Sequence, residues 1–140
     1  MTIRLATAAD ADALFGLVQQ LGHALTPERD AFDATFAGYL TGGTDVVLYI
    51  AEQGGAVVGY VLMSVVPLLS TNGLAAQLQE IVVDEAARGT DVGTELVRAV
   101  EAECERRGVK QLTVAARRAG GFYDRLGYHE NAEYMRRFFL

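Results

Sequence analysis

The sequence predicts a mixed α/β fold built around one sheet, and three observations carry this. Hydrophobic spacing switches between a period of two and a period near 3.6 along the chain, giving the element order β-α-α-β-β-β-α-β-α-β. The strand–helix–strand unit over 74–115 implies at least one parallel strand pair inside an otherwise antiparallel sheet. The chain has 140 residues, one domain's length, so 1–140 is expected to fold around a core of its own without a metal or a disulfide.

Thr2–Ala6 alternates and reads as a short strand. Asp10 offers a helix N-cap. Leu14, Leu17, Val18, Leu21 and Leu25 then follow at helical spacing, predicting a helix over about 11–24. Thr26-Pro27-Glu28 is a second helix start, with a capping hydroxyl followed by proline at the first helical position. Phe32, Phe36, Tyr39 and Leu40 mark that helix's apolar face, and Gly42-Gly43 ends it. Asp45–Glu52 reads as a strand, Gln53-Gly54-Gly55 as a hairpin turn, and Ala56–Val66 as the returning strand, broken by Pro67. Leu74–Val83 is the next strand, and its run Ile81-Val82-Val83 suggests burial on both faces. Val92, Leu96, Val97, Val100 and Cys104 form one face of a helix that runs to Arg107 and stops at Gly108. Lys110–Ala115 is a strand, 119–126 a short helix ending at Gly127, and Tyr134–Leu140 a closing strand.

Composition narrows the function classes. The net charge is −6 with a pI near 4.8, which disfavours nucleic acid and suits a cationic substrate. Eleven of the twelve basic residues are arginine, Lys110 being the exception. The longest apolar runs, such as Val57–Met63, are strand length and too short to span a membrane. Met1–Arg4 carries no export signal, so the expected location is the cytoplasm. One cysteine, Cys104, and two histidines leave no internal disulfide and argue against a thiolate or imidazole metal site.

The chemistry-bearing segment runs from Ile81 to Leu96. A strand passes through a short loop holding Arg88, Gly89 and Gly93 into a long helix. The first N–H groups of a helix lack internal partners and carry the positive end of its dipole, glycines permit close backbone approach, and Arg88 adds a bidentate cation. This suits a phosphate-bearing ligand. The competing reading, that the glycines only shape a turn, would win for an isolated loop. No Gly-Lys-Ser/Thr is present, so the loop is not a P-loop. No dinucleotide fingerprint follows the first strand, which argues against a Rossmann domain.

A second segment, Phe122-Tyr123-Asp124-Arg125-Leu126-Gly127-Tyr128, changes the balance. With Arg88-Gly89-Thr90-Asp91-Val92-Gly93 it resembles the paired motifs of the general N-acetyltransferase (GNAT) superfamily, Arg/Gln-x-x-Gly-x-Gly/Ala and Phe-Tyr-x-x-Leu-Gly-Phe/Tyr. The spacing between the motifs and the element order match as well. The resemblance implies a mostly antiparallel, mixed sheet of six to seven strands with splayed parallel central strands, flanked by about four helices. It implies acetyl-coenzyme A as the acyl donor, with Ile81, Val82 and Val83 along the pantetheine arm. The loop Arg88, Gly89, Thr90, Asp91, Val92, Gly93 and Thr94 would cradle the pyrophosphate, and Phe122 would lie at the donor. The strand at 112–115 would form the second wall of the gap between the strands.

Asp91 departs from the pattern, since the family places glycine there. Its carboxylate either turns to solvent as an N-cap, leaving a working site, or degrades the donor site. The first is expected, because Arg88, Gly89, Gly93 and Tyr123 all remain. Acetyl transfer to an amine needs a base, oxyanion donors and an acid. The resemblance makes Tyr123 the acid, against a reading in which it only packs its helix. Glu80, just before the apolar triplet, is the base candidate, weighed equally against a carboxylate satisfied by a neighbour. His23 reads as a solvated helix-end residue, His129 as a loop residue, and Cys104 as a packing residue. The expected function is acetyl transfer to a primary amine, and the alternative is a coenzyme A-binding regulatory or dimerisation module with little turnover. The apolar residues Phe138, Phe139 and Leu140 suggest a homodimer through the closing strand.

Overall fold

The computed structural model describes residues 1–22, 24–42, 45–116 and 121–140. Strand β1 is Thr2–Leu5, helix α1 Ala11–Val18, helix α2 Arg29–Leu40, β2 Val46–Gln53, β3 Ala56–Leu68, β4 Gly73–Val83, helix α3 Val92–Arg107, β5 Gln111–Val114 and helix α4 Phe122–Arg125. The strands form one sheet in the order β1-β2-β3-β4-β5. Every pairing is antiparallel except β4 with β5, which is parallel, as the crossover through α3 requires.

The β2–β3 hairpin turns at Gly54 and Gly55, with φ of 60° and 80°, a conformation that two consecutive residues with side chains would resist. Pro67 does not break β3 as expected. The strand runs through it, with Pro67 opposite Leu74. The pairing with β2 ends at Ser64, so Pro67 lies where β3 is a free edge on that side and a missing N–H is tolerated. Helix α1 ends at Val18 and continues as a 3₁₀ turn, Gln19–Leu21, up to Gly22 with φ 72°. Helix α2 starts at Arg29 rather than at Pro27, with Glu28 as its extended N-cap residue. Helix α3 matches the expected boundaries to the residue and stops on left-handed Gly108.

Two apolar layers cover the two faces of the sheet. On one face α3 packs Val92, Leu96, Val97 and Val100 against Val47, Val61, Met63, Val65, Ala76 and Leu78. On the other, Leu14, Leu17 and Phe36 from α1 and α2 meet Ile50, Tyr60, Leu62 and Val82. Strict alternation in β3 sends Tyr60 and Leu62 one way and Val61, Met63 and Val65 the other. A carboxylate also anchors α3. Glu103 accepts from Arg106 and from Arg107 Nε, and Arg107 reaches across to Asp45 at 2.9 Å. The Arg106 hydrogen bond, followed by that of Arg107, holds the Glu103 carboxyl down at about 2 against the opposing effect of burial.

The structure has five strands among the described residues, not six to seven. Tyr134–Leu140 forms no strand, and residues 129–140 are exposed throughout. No strand pairs with this segment among the described residues. Arg136 and Arg137 instead stack on the rings two positions ahead of them, Phe138 and Phe139, at 4.3 and 5.4 Å. The short helix begins at Phe122, and Ala119 and Gly120 lie outside the described residues.

Gly59 sets how closely α3 approaches the sheet. A Cβ there would lie 2.9 Å from the carbonyl oxygen of Val82 and 3.3 Å from Leu96 and Val92. Gly59→Ala is expected to destabilise the protein by about 1–3 kcal/mol, the usual cost of overpacking. Urea unfolding measures this, and a loss below about 0.5 kcal/mol would mean that the approach is not tight.

Candidate active site

Strand β4 carries one extra residue relative to β3. Leu62 stands opposite Glu80 while Met63 stands opposite Leu78, leaving Gln79 unpaired in the ladder. Such a bulge reverses the side-chain alternation beyond it. Ala76 and Leu78 point toward α3, whereas Val82 lies with the α1–α2 layer, and Ile81 and Val83 pack on the α3 side. Glu80 is thereby turned onto the α1–α2 face, where it lines an apolar cavity of about 700 Å³.

The same point marks the parting of the parallel strands. Pairing between β4 and β5 stops at Leu78 opposite Val114, while β4 runs on to Val83. Among the described residues no strand covers that edge of 80–83.

Glu80 is not alone in the cavity. The Tyr60 hydroxyl donates to Glu80 Oε1 at 2.8 Å, and Tyr60 itself is only 2% exposed. Burial and then the Glu80 charge push the Tyr60 phenol far above its ordinary range, so it stays a donor. Tyr39, on α2, is raised by burial and also by Glu80. Glu80 Oε2 has no hydrogen-bond partner among the described residues. The sequence reading missed Tyr60, Tyr39 and the bulge. A signal was present, since the apolar positions of β4 change from even (Leu74, Ala76, Leu78) to odd (Ile81, Val83).

On the other side of the bulge the chain leaves β4 through a 3₁₀ turn, Glu85–Ala87, into extended Arg88 and left-handed Gly89 with φ 84°. Arg88 Nε donates to the Val83 carbonyl at 3.0 Å, and Thr90 Oγ1 to that of Ala87 at 2.6 Å. The terminal nitrogens of Arg88 have no partner among the described residues. Gln20, after α1, bridges to this loop, donating to Asp84 Oδ1 at 3.3 Å and accepting from Glu85 N at 3.2 Å.

Asp91 stands at the N-cap position of α3 but makes no capping hydrogen bond, which corrects the expected cap. Its backbone is already near-helical, with φ −84° and ψ 16°, rather than in the extended conformation from which a side chain reaches back. The carboxylate is exposed. Phe122 packs over Gly93, where a Cβ would sit 3.5 Å from its ring and 3.7 Å from Val83.

Tyr123 is buried in the α3-side layer, edge-on to Phe122 and Tyr128 at 4.9 and 5.7 Å. Burial raises its phenol, which keeps it protonated. The structure thus groups Glu80 with Tyr60 and Tyr39, and groups Tyr123 with Phe122 and the start of α3. No hydrogen bond or ring contact joins the two sets among the described residues. Cys104 packs against Met63 at 3.5 Å, as expected. His129 follows Gly127 in an exposed segment, and His23 lies outside the described residues.

The family model of the acetyltransferase (GNAT) domain matches residues 44–130. The chain belongs to the GNAT acetyltransferase family. Its members are acyltransferases that use acetyl-coenzyme A as cosubstrate. Among solved structures, a transcriptional regulator from Bacillus halodurans is 22% identical, with 99% of each chain covered and a TM-score of 0.86. Glucosamine-6-phosphate N-acetyltransferase from Arabidopsis thaliana is 22% identical, with 99% of this chain and 97% of that one covered and a TM-score of 0.86. An acetyltransferase from Trypanosoma brucei is 19% identical, with 99% of each chain covered and a TM-score of 0.84. At these identities the likeness is one of fold. No curated protein matches the sequence. Among the described residues no helix is long and apolar enough to cross a membrane.

Asp91→Gly tests the loop's odd carboxylate. No cap is lost, so stability is expected to hold within about 0.5 kcal/mol. Two unit charges about 4 Å apart in water repel by about 1 kcal/mol, so coenzyme A should bind the variant less than tenfold more tightly. That gain should shrink toward 1 M salt. A tenfold or greater gain in calorimetry would place the carboxylate against the pyrophosphate.

Proposed function

We propose that the protein transfers the acetyl group of acetyl-coenzyme A to a primary amine by direct attack in a ternary complex. The observation that carries this reading is the edge of β4 at 80–83, which no strand covers among the described residues, set between an acid-lined cavity and the start of α3. In the proposal the backbone of Ile81, Val82 and Val83 pairs with the pantetheine arm. Arg88 and the backbone of Gly89, Thr90, Asp91, Val92, Gly93 and Thr94 receive the pyrophosphate at the positive end of α3. Phe122 supports the loop from beneath Gly93.

The amine approaches from the cavity as an ammonium ion, since such groups have a pKa near 10.4. Glu80, directly or through water, takes one proton. The free nitrogen lone pair attacks the thioester carbonyl, forming the C–N bond and an oxyanion. Collapse breaks the C–S bond. Tyr123 protonates the departing thiolate, and the second nitrogen proton leaves to solvent, giving amide, thiol and one released proton. The phosphosugar acceptor of the Arabidopsis neighbour does not transfer to this chain on a likeness of fold alone. An exposed Asp91 in the donor loop favours a second reading, a coenzyme A-binding regulatory module with little turnover. Thiol release across a panel of amines separates the two.

Arg88→Ala is expected to raise the donor KM, removing a charge-assisted contact of roughly 1.5–3 kcal/mol at the lower end for so exposed a side chain. Unchanged coenzyme A affinity by calorimetry would refute the loop assignment.

Tyr123→Phe should lower kcat with little change in donor affinity, because the ring stays and only the proton donor goes. Equal activity in the two proteins would end the acid role. Glu80→Gln should move the alkaline rise of the rate to higher pH, and an unchanged pH–rate profile would point to another base.

The protein is also proposed to pair with a second copy through its C-terminal segment, where Phe139 is 87% and Leu140 98% exposed. Light scattering at micromolar concentration should give a dimer, and monomer alone would refute it.

A further inference from the structure

We infer that the acceptor is a primary amine on an uncharged apolar body, aromatic or branched aliphatic, with no acid group beside the nitrogen. This deepens the reading above and rests on it for the donor. The cavity between the α1–α2 pair and the sheet measures about 700 Å³, within the ~300–1,000 Å³ typical of sites that enclose small organic molecules. Val18, Phe32, Leu48 and Leu62 are among its walls, and its acids are Glu80 on the sheet and Glu28 at the start of α2. No arginine, lysine or histidine lines it among the described residues.

Each feature selects. Apolar walls gain by covering an apolar body and gain nothing from hydroxyls left without partners. Glu80, fixed by the Tyr60 hydrogen bond, offers its second oxygen to one ammonium group. The rings of Tyr39, Tyr60 and Phe36 are compatible with a cation and with an aromatic neighbour. A sugar phosphate would bring negative charge to two carboxylates, with no cation among the described lining residues to meet it. An amino acid's own carboxylate would stand beside Glu80. The secondary ammonium of a polyamine would lose its water along any stretch of apolar wall away from the two carboxylates.

Phenethylamine is the probe. Its acetylation, measured by thiol release, is expected to exceed that of spermidine, glucosamine 6-phosphate and L-phenylalanine by at least about tenfold in kcat/KM, the scale on which one pocket contact discriminates. Ala31→Trp, on an exposed position of α2 that lines the cavity, should lower phenethylamine kcat/KM by about tenfold, a larger loss than for ethylamine. Saturation-transfer NMR of phenethylamine on the protein without donor reads the cavity apart from catalysis. The signal should be present and should fall in Ala31→Trp. Comparable turnover of spermidine, the sugar phosphate or phenylalanine, or an NMR signal absent or indifferent to Ala31→Trp, overturns the acceptor class. Loss of coenzyme A binding and of all turnover, with the NMR behaviour intact, overturns only the acetyl-transfer reading.

Discussion

One unpaired residue in β4 determines which face of the sheet Glu80 joins. If the ladder between β3 and β4 ran without interruption, Glu80 would follow Ala76 and Leu78 into the layer beneath α3, where a carboxylate would be buried among Val92, Leu96 and Met63. The extra position at Gln79 rotates the rest of the strand by one step. Glu80 then reaches the cavity and the Tyr60 hydroxyl, Val82 joins the α1–α2 layer, and Ile81 and Val83 fill the α3 side. A bulge also twists and bends its strand, and the pairing with β5 ends at this point. The placing of the acid in the cavity follows from this shift, and the end of the β5 pairing coincides with it.

The helices and the hairpin were legible because their signals are local. Helix α3 could be read to the residue from an apolar stripe, terminal arginines and Gly108, each acting within a turn or two of itself. The Gly54-Gly55 turn is similar. The parallel pair was legible from connectivity alone, since a strand followed by a long helix and another strand returns in the same direction. The loop carrying Arg88 and Gly89 was legible in residue type, and its backbone has the left-handed step at Gly89 that the glycine foreshadowed.

What escaped depends on the neighbours of a segment. The apolar residues of 134–140 mark a strand only where a partner edge is present, and none pairs with this segment among the described residues. Asp91 has a capping residue's identity, but its own backbone is already near-helical. The partnership of Tyr60 with Glu80 spans twenty residues and depends on the register shift, so neither residue shows it alone. Thr26-Pro27 looked like a helix start and became instead part of the cavity wall, the helix beginning only where Glu28 gives way to Arg29.

The sheet keeps its two apolar layers apart, and this has a consequence for how such a protein can diverge. The layer beneath α3 and the Arg88–Thr94 loop draws on α3 and the strands. The layer that shapes the cavity draws on α1 and α2, which lie before residue 44, where the match to the family model begins. Substitutions in the first forty residues can therefore recut the cavity while the layer beneath α3 keeps its packing. The fold behaves as a chassis with an interchangeable front wall, fastened to it by Gln20 and by the strip of side chains that the sheet presents on that side.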